Sequence, residues 1–257
     1  MKNIIKAQLY QIKRDKALWI MFFGIALLNL SGMMNYIIKW NMDKREGLSG
    51  SFFAANTSDM GMYCTVYIIL AAVYMMGRDY MDKTVNEEVL YGYSGKHVFL
   101  GRALPALSVT LITTILLIFL VPVCSTMIYG WGKEITVAEF MFRVFLYIFL
   151  ILRISCEAIL LTVACRKLYV ACAAGLILYE AGYFIDVKNE YVFAGTAGRT
   201  IFDFESWIIY HINGKPEILY EKILPESTIF IFIASSILIS IMCLLLAGRF
   251  FEISDMD

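Results

Sequence analysis

Six apolar runs limit what this chain can fold into more than any other feature does. A hydrocarbon core of about 30 Å needs roughly 20 helical residues at 1.5 Å rise each. Runs of that order occupy residues 18–38, 60–76, 104–129, 140–165, 168–185 and 228–246. Charged residues are only 17% of the 257, against about 25% in a soluble domain, and they cluster between the runs. The pattern predicts an all-α membrane protein, with one transmembrane domain over 1–257 and six transmembrane helices. Trp19 and Trp40 stand at the two ends of the first span, where indole rings prefer the interface. Pro122 lies inside the third span and predicts a kink, which a packed bundle can absorb.

The first seventeen residues are amphipathic rather than spanning. Ile5, Leu9 and Ile12 form one stripe, while Lys2, Lys6, Lys13 and Arg14 lie off it. That spacing predicts an interfacial helix, apolar face in the membrane and basic residues towards lipid phosphates. A basic start before an apolar stretch also fits a signal peptide. The charged region is long for one, however, and the run continues past the small residues Ser31 and Gly32. With the N-terminus inside, segments 1–17, 77–103, 166–167 and 248–257 carry 12 Lys and Arg in 56 positions. The opposite segments, 39–59, 130–139 and 186–227, carry 8 in 73. The excess of basic residues marks the cytoplasmic side, so both termini are expected there.

The outer segment 186–227 is too long for a turn and too short for a domain. Its stretch 200–212, TIFDFESWIIYHI, is aromatic and apolar. That composition predicts a re-entrant or interfacial helix, serving either to dock on the outer leaflet or to cap the bundle. The formal net charge is zero, which gives no reason to expect a nucleic-acid partner. The six cysteines fall in or at the edge of apolar runs. They read as small buried hydrophobes with free thiols rather than as a disulfide framework. His97 and His211 are far apart, and no metal site is expected.

Four ionisable residues fall within predicted spans: Arg143, Arg153, Glu157 and Glu180. Charge at membrane depth is costly and marks a pair, a cavity or a pathway. Arg143 is near the outer end of span four and can snorkel. Arg153 and Glu157 are four residues apart and can pair on one helix face. Arg153 and Glu180 are equally distant from the turn at Arg166 and Lys167, so an antiparallel hairpin sets them at one depth. The expectation is an intramembrane cluster of Arg153, Glu157 and Glu180. It serves either as a neutralising ion pair between spans four and five or as a proton or substrate relay.

Enzyme readings find little support. Gly95 and Lys96 form a Gly-Lys step without the earlier glycine and following Ser/Thr of a phosphate loop. Gly47 to Gly50 lie in what reads as a short outer loop. Glu87 and Glu88 lack the arginine and intramembrane histidines of paired-glutamate proteases and fit a solvated helix face. No serine nucleophile is expected beside a histidine. Neither catalytic residue nor cofactor is expected in this chain.

The segment 77–103 between spans two and three is the most informative stretch. It reads as a short helix over 79–90 broken by Gly92 and Gly95, either a docking helix for a cytoplasmic partner or a simple connecting loop. Asp79 follows span two; Lys83 and Thr84, then Gly92, Ser94 and Lys96, come after it. This order resembles the permease subunits of ABC-2-type transporters, in which an acidic residue precedes a Gly/Lys-Thr step and a helix ending at a Gly-x-Ser-basic turn. Here the turn reads Ser94, Gly95, Lys96 in place of the commoner Ser-Arg form. The basic interfacial helix, the six spans, the large segment before span six and the run Arg249, Phe250, Phe251, Glu252 are similar as well.

The resemblance implies an export permease in the bacterial cell membrane, driven by a separate ABC ATPase that binds ATP and Mg. A second permease, identical or paralogous, would complete the path, with membrane lipid around it. The 79–96 helix would couple the ATPase through Asp79, Lys83, Thr84, Glu87, Glu88, Leu90, Tyr91, Gly92, Ser94 and Lys96. Small members of the group resemble permeases for peptide antibiotics, lantibiotic immunity and bacitracin resistance, implying an amphipathic peptide, antibiotic or lipid-like cargo. The alternatives are an ion-coupled secondary transporter built on the intramembrane charges and a non-transporting membrane sensor or scaffold.

Overall fold

Each apolar run is long enough to satisfy its own backbone as a helix, which a membrane demands. The computed structural model describes residues 2–42, 49–55, 58–81, 93–133, 135–189, 206–210, 216–220 and 226–254. Within them the chain forms α1 (Lys2–Arg14), α2 (Lys16–Met42), α3 (Gly50–Ala55) and α4 (Ser58–Met81). These are followed by α5 (Gly95–Tyr129), α6 (Val137–Cys165), α7 (Leu168–Asn189) and α8 (Glu226–Ser254). Four helices are long and apolar enough to cross a membrane: α2 over Lys16–Asn35, all of α5, all of α6, and α8 over Ile229–Glu252. The apolar stretches Tyr63–Arg78 in α4 and Leu168–Tyr179 in α7 are shorter.

Helix α4 lies at the centre. Cys64, Tyr67, Ile68, Ala71, Ala72, Met75 and Met76 are all buried along one broad stripe, which Thr65, Ile69 and Val73 widen, while Val66, Leu70 and Tyr74 opposite are half-buried. Neighbours α2, α5, α6 and α7 surround it. Small residues let them approach: a Cβ on Gly175 of α7 would lie 2.7 Å from Ile69 Cγ2. Hydroxyls add bonds between helices. Tyr67 donates to Thr113 Oγ1 of α5 at 2.9 Å, and Thr65 Oγ1 meets the Tyr147 hydroxyl of α6 at 3.4 Å. Helix α8 leans mainly on α6, with Phe232, Ser236, Cys243, Ala247 and Phe251 buried along its length. The rest of its surface is apolar and exposed, as is that of α2.

Helix α5 runs unbroken through Pro105 and Pro122. The Ser125 hydroxyl donates to the Val121 carbonyl at 2.8 Å, and Thr126 donates to that of Pro122 at 2.6 Å. Both bonds supplement the ladder beside the donor that Pro122 lacks. The α6–α7 hairpin closes at Arg166, a left-handed residue (φ 52°) whose N–H donates to Thr162 O at 2.9 Å.

Three expectations change. The stretch 49–55 is not a plain loop. Ser49, Ser51, Phe52, Phe53 and Ala54 are buried, and the N–H groups of Gly50 and Ser51 donate to the carbonyls of Gly130 and Trp131. Helix α3 thus plugs the end of α5. Segment 200–212 is not a helix throughout, because Ser206–Tyr210 (β1) pairs antiparallel with Pro216–Tyr220 (β2), Trp207 opposite Leu219. Trp, Ile and Tyr favour strands, and the intervening sequence contains the hairpin-forming Asn213-Gly214 step. Among the described residues the chain is therefore helical apart from this antiparallel strand pair. Third, α1 does not lay its whole apolar face in the membrane. Ile4, Gln8 and Ile12 are buried against the protein, while Leu9 stays exposed.

Gly175→Val should lower the melting temperature of the purified protein, by a cost of about 1–3 kcal/mol for an overpacked interface. Gly24→Ala, where a Cβ meets nothing within 4 Å, should leave it unchanged. Equal melting of the two variants would contradict the central packing of α4.

Candidate functional site

The site worth building lies at the end of the bundle from which the 82–92 segment departs. Asp15 stands alone between α1 and α2, and its short acceptor suits a helix start. Oδ1 accepts from the N–H of Ala17 at 2.9 Å and of Leu18 at 3.4 Å. The same carboxylate receives the Tyr74 hydroxyl at 3.3 and 3.1 Å and forms an ion pair with the Arg78 guanidinium. Tyr74 and Arg78 are one turn apart on α4. One carboxylate therefore caps α2, sets the elbow between α1 and α2, and ties both to the last turns of the central helix. Sequence reasoning passed over Asp15, Tyr74 and Arg78; a lone Asp directly before an apolar run is a helix-start signal that marks the first of them.

Helix α1 is fastened at further points. Gln8 Nε2 donates to Met75 O at 3.5 Å, and the Trp19 indole donates to Lys13 O at 3.1 Å. Ile4 packs on Gly101, where an added Cβ would lie 2.8 Å from Ile4 Cγ2. The start of α5 carries the end of α8 as well: Phe99 and Phe251 stack with centroids 5.7 Å apart. Lys96 Nζ lies 3.7 Å from Glu252 Oε1, a surface pair of small worth. Gly77 abuts Leu168 of the α6–α7 hairpin. Ends of α1, α4, α5, α7 and α8 thus form one platform.

Of the expected coupling residues, Asp79 belongs to the last turn of α4, its side chain outside the described residues. Lys83, Thr84, Glu87, Glu88, Leu90, Tyr91 and Gly92 lie wholly outside them, as does most of the expected 79–90 helix. Ser94 is the N-cap of α5 and Lys96 sits in its first turn, so Gly95 opens a helix rather than breaking one. The expectation of no serine beside a histidine fails, since Ser94 Oγ is 2.5 Å from His97 Nδ1. Both are exposed at a helix start, three residues apart, and among the described residues no acid orients the imidazole as a triad requires.

Inside the bundle, Arg153 Nε donates to Glu157 Oε1 at 3.0 Å, as their spacing predicts. Arg153 is buried and Glu157 about 39% exposed at its side chain. The side chain of Glu180, the third member of the expected cluster, lies outside the described residues. Arg143 is 4% exposed and reaches back one turn towards the start of its helix, Nη2 lying 3.5 Å from Glu139 Oε1. Glu139 stands in the first turn of α6, its N–H donating to the Thr136 hydroxyl at 3.2 Å. No protein-family model and no curated protein sequence matches this chain.

Asp15→Asn keeps the cap and removes the ion pair, whereas Asp15→Ala removes both, adding a loss of about 0.5–2 kcal/mol. A cycle of Asp15→Asn with Arg78→Gln, followed by thermal melting, should show a coupling of roughly 0.5–1 kcal/mol, the size of a half-exposed pair. Strictly additive effects would contradict the join.

Proposed function

We propose that this chain is the membrane-spanning permease subunit of an ATP-driven exporter of the ABC-2 type. It crosses a bacterial cell membrane six times, through α2, α4, α5, α6, α7 and α8, with both termini cytoplasmic. A separate cytoplasmic ABC ATPase supplies ATP hydrolysis with Mg, and a second permease, identical or paralogous, completes the path. The cargo class is an amphipathic peptide, antibiotic or lipid-like molecule.

The observation that carries this reading is the position of the 82–92 segment. It joins the central helix α4 to α5, and both its flanks are built into the platform: Arg78 through Asp15, and Phe99 and Gly101 through Phe251 and Ile4. A partner that moved this segment would move the core of the bundle directly, as coupling to an ATPase requires. Topology supports the reading too, with a basic N-terminal helix before the spans and a long segment before the last. The pairing of buried Arg153 with the more exposed Glu157 fits a structural role in α6 within the same account.

Co-expression with an ABC ATPase encoded beside this chain should give copurification of the two. Glu87→Ala combined with Leu90→Asp should reduce recovered ATPase at least several-fold while the permease still inserts and melts normally. Undiminished recovery with the double variant would contradict the coupling role, and transport driven by a proton gradient without any ATPase would replace it.

A further inference from the structure

The elbow that Asp15 holds also frames an open cleft of about 480 Å3. Tyr10 and Arg14 of α1 form one wall, Tyr74 and Arg78 of α4 the other, and Lys16 stands at the bend. The apolar stretch of α2 begins at Lys16, so the cleft lies at the level where the hydrocarbon core gives way to headgroups. The exposed rings of Tyr10 and Trp19 belong at that depth, because amphipathic aromatics favour the interface.

The charges facing this space are unequal. Among the described residues lining it, Arg14, Lys16 and Arg78 bring three cations against the carboxylate of Asp15. Asp15 already receives two backbone N–H groups, the Tyr74 hydroxyl and Arg78, so its charge is largely compensated. Arg14 is held in place by Tyr10, its guanidinium carbon 4.7 Å from the ring centroid. Among the described residues neither Arg14 nor Lys16 has an ion-pair partner, and both are exposed. A planar guanidinium suits the two free oxygens of a phosphodiester, and a flexible ammonium completes the charge.

We infer that the cleft between α1 and α4 is a binding site for the headgroup of an anionic phospholipid. Its phosphate sits between Arg14 and Lys16, and its acyl chains run down the exposed apolar face of α2. Because Arg78 lines the same cleft, an occupied site bears on the junction that fixes α1 to the central helix, making the platform sensitive to lipid charge.

Native mass spectrometry of the detergent-solubilised full chain, titrated with phosphatidylglycerol, phosphatidylcholine or inorganic phosphate, tests this. Wild type should bind at least one phosphatidylglycerol saturably and prefer it to phosphatidylcholine. Arg14→Gln with Lys16→Gln should weaken that binding by about tenfold or more, given the strength of each basic residue near anionic lipid. Its melting temperature without lipid should stay at the wild-type value, both side chains being exposed. Lys2→Gln with Lys6→Gln, an equal loss of charge elsewhere on α1, should change the affinity less than threefold. Equal losses for the two pairs would overturn the site in favour of diffuse attraction. Inorganic phosphate at millimolar concentration displacing the lipid would overturn the assignment to a lipid headgroup.

Discussion

A helix surrounded by protein inside a membrane gains nothing from leaving lipid for leucine. Only close packing and hydrogen bonds hold it there, and the rest of this structure depends on how α4 meets that condition. Ala71, Ala72 and Gly77 leave room for neighbouring backbones, and Gly175 lets α7 close on Ile69. Tyr67 and Thr65 reach hydroxyls on α5 and α6. Such bonds are worth only about 0.6 kcal/mol each on average in a membrane protein, so shape carries the larger share. The outer helices are less constrained: α2 and α8 present long apolar faces outward, as lipid contact allows.

At one end the central helix acquires a second, electrostatic attachment. Asp15 is placed where a carboxylate can cap one helix and pair with another, so a single side chain fixes the angle of α1 and the exit of α4. That exit leads into the segment proposed to meet an ATPase, and the far flank of the segment, on α5, is held by α1 and α8. Load on the segment is therefore shared between the centre of the bundle and its amphipathic elbow. Charges deeper in the bundle, Arg143 and Arg153, pair with Glu139 and Glu157 of their own helix, which keeps them out of lipid.

The apolar run lengths made the helices legible, and their ends lie within a few residues of expectation except where helices extend past the hydrocarbon. Helix α5 begins at Gly95 rather than near 104, because polar residues such as Lys96 and His97 continue a helix beyond the membrane without an apolar signal. Helix α3 was invisible, since GSFFAA is too short for periodicity to register. The buried stripe of α1 falls on Ile4, Gln8 and Ile12 rather than Ile5, Leu9 and Ile12, because docking on α4 and α5, not lipid, chose the face. β1 carried the same apolar signal as a short interfacial helix; its partner strand decided the matter. The Arg153–Glu157 pair was legible because it is local. Asp15 with Tyr74 and Arg78 was not, for those residues are some sixty positions apart and only the tertiary fold joins them.

If the elbow anchors the central helix, loosening it must loosen α4 and not α1 alone. Hydrogen–deuterium exchange of the membrane-embedded protein, compared between wild type and Asp15→Asn, reads this directly. The account predicts faster exchange in peptides covering residues 2–14 and 74–81 together, with the other end of α4 unchanged. Faster exchange confined to residues 2–14, with 74–81 as protected as in wild type, would contradict it.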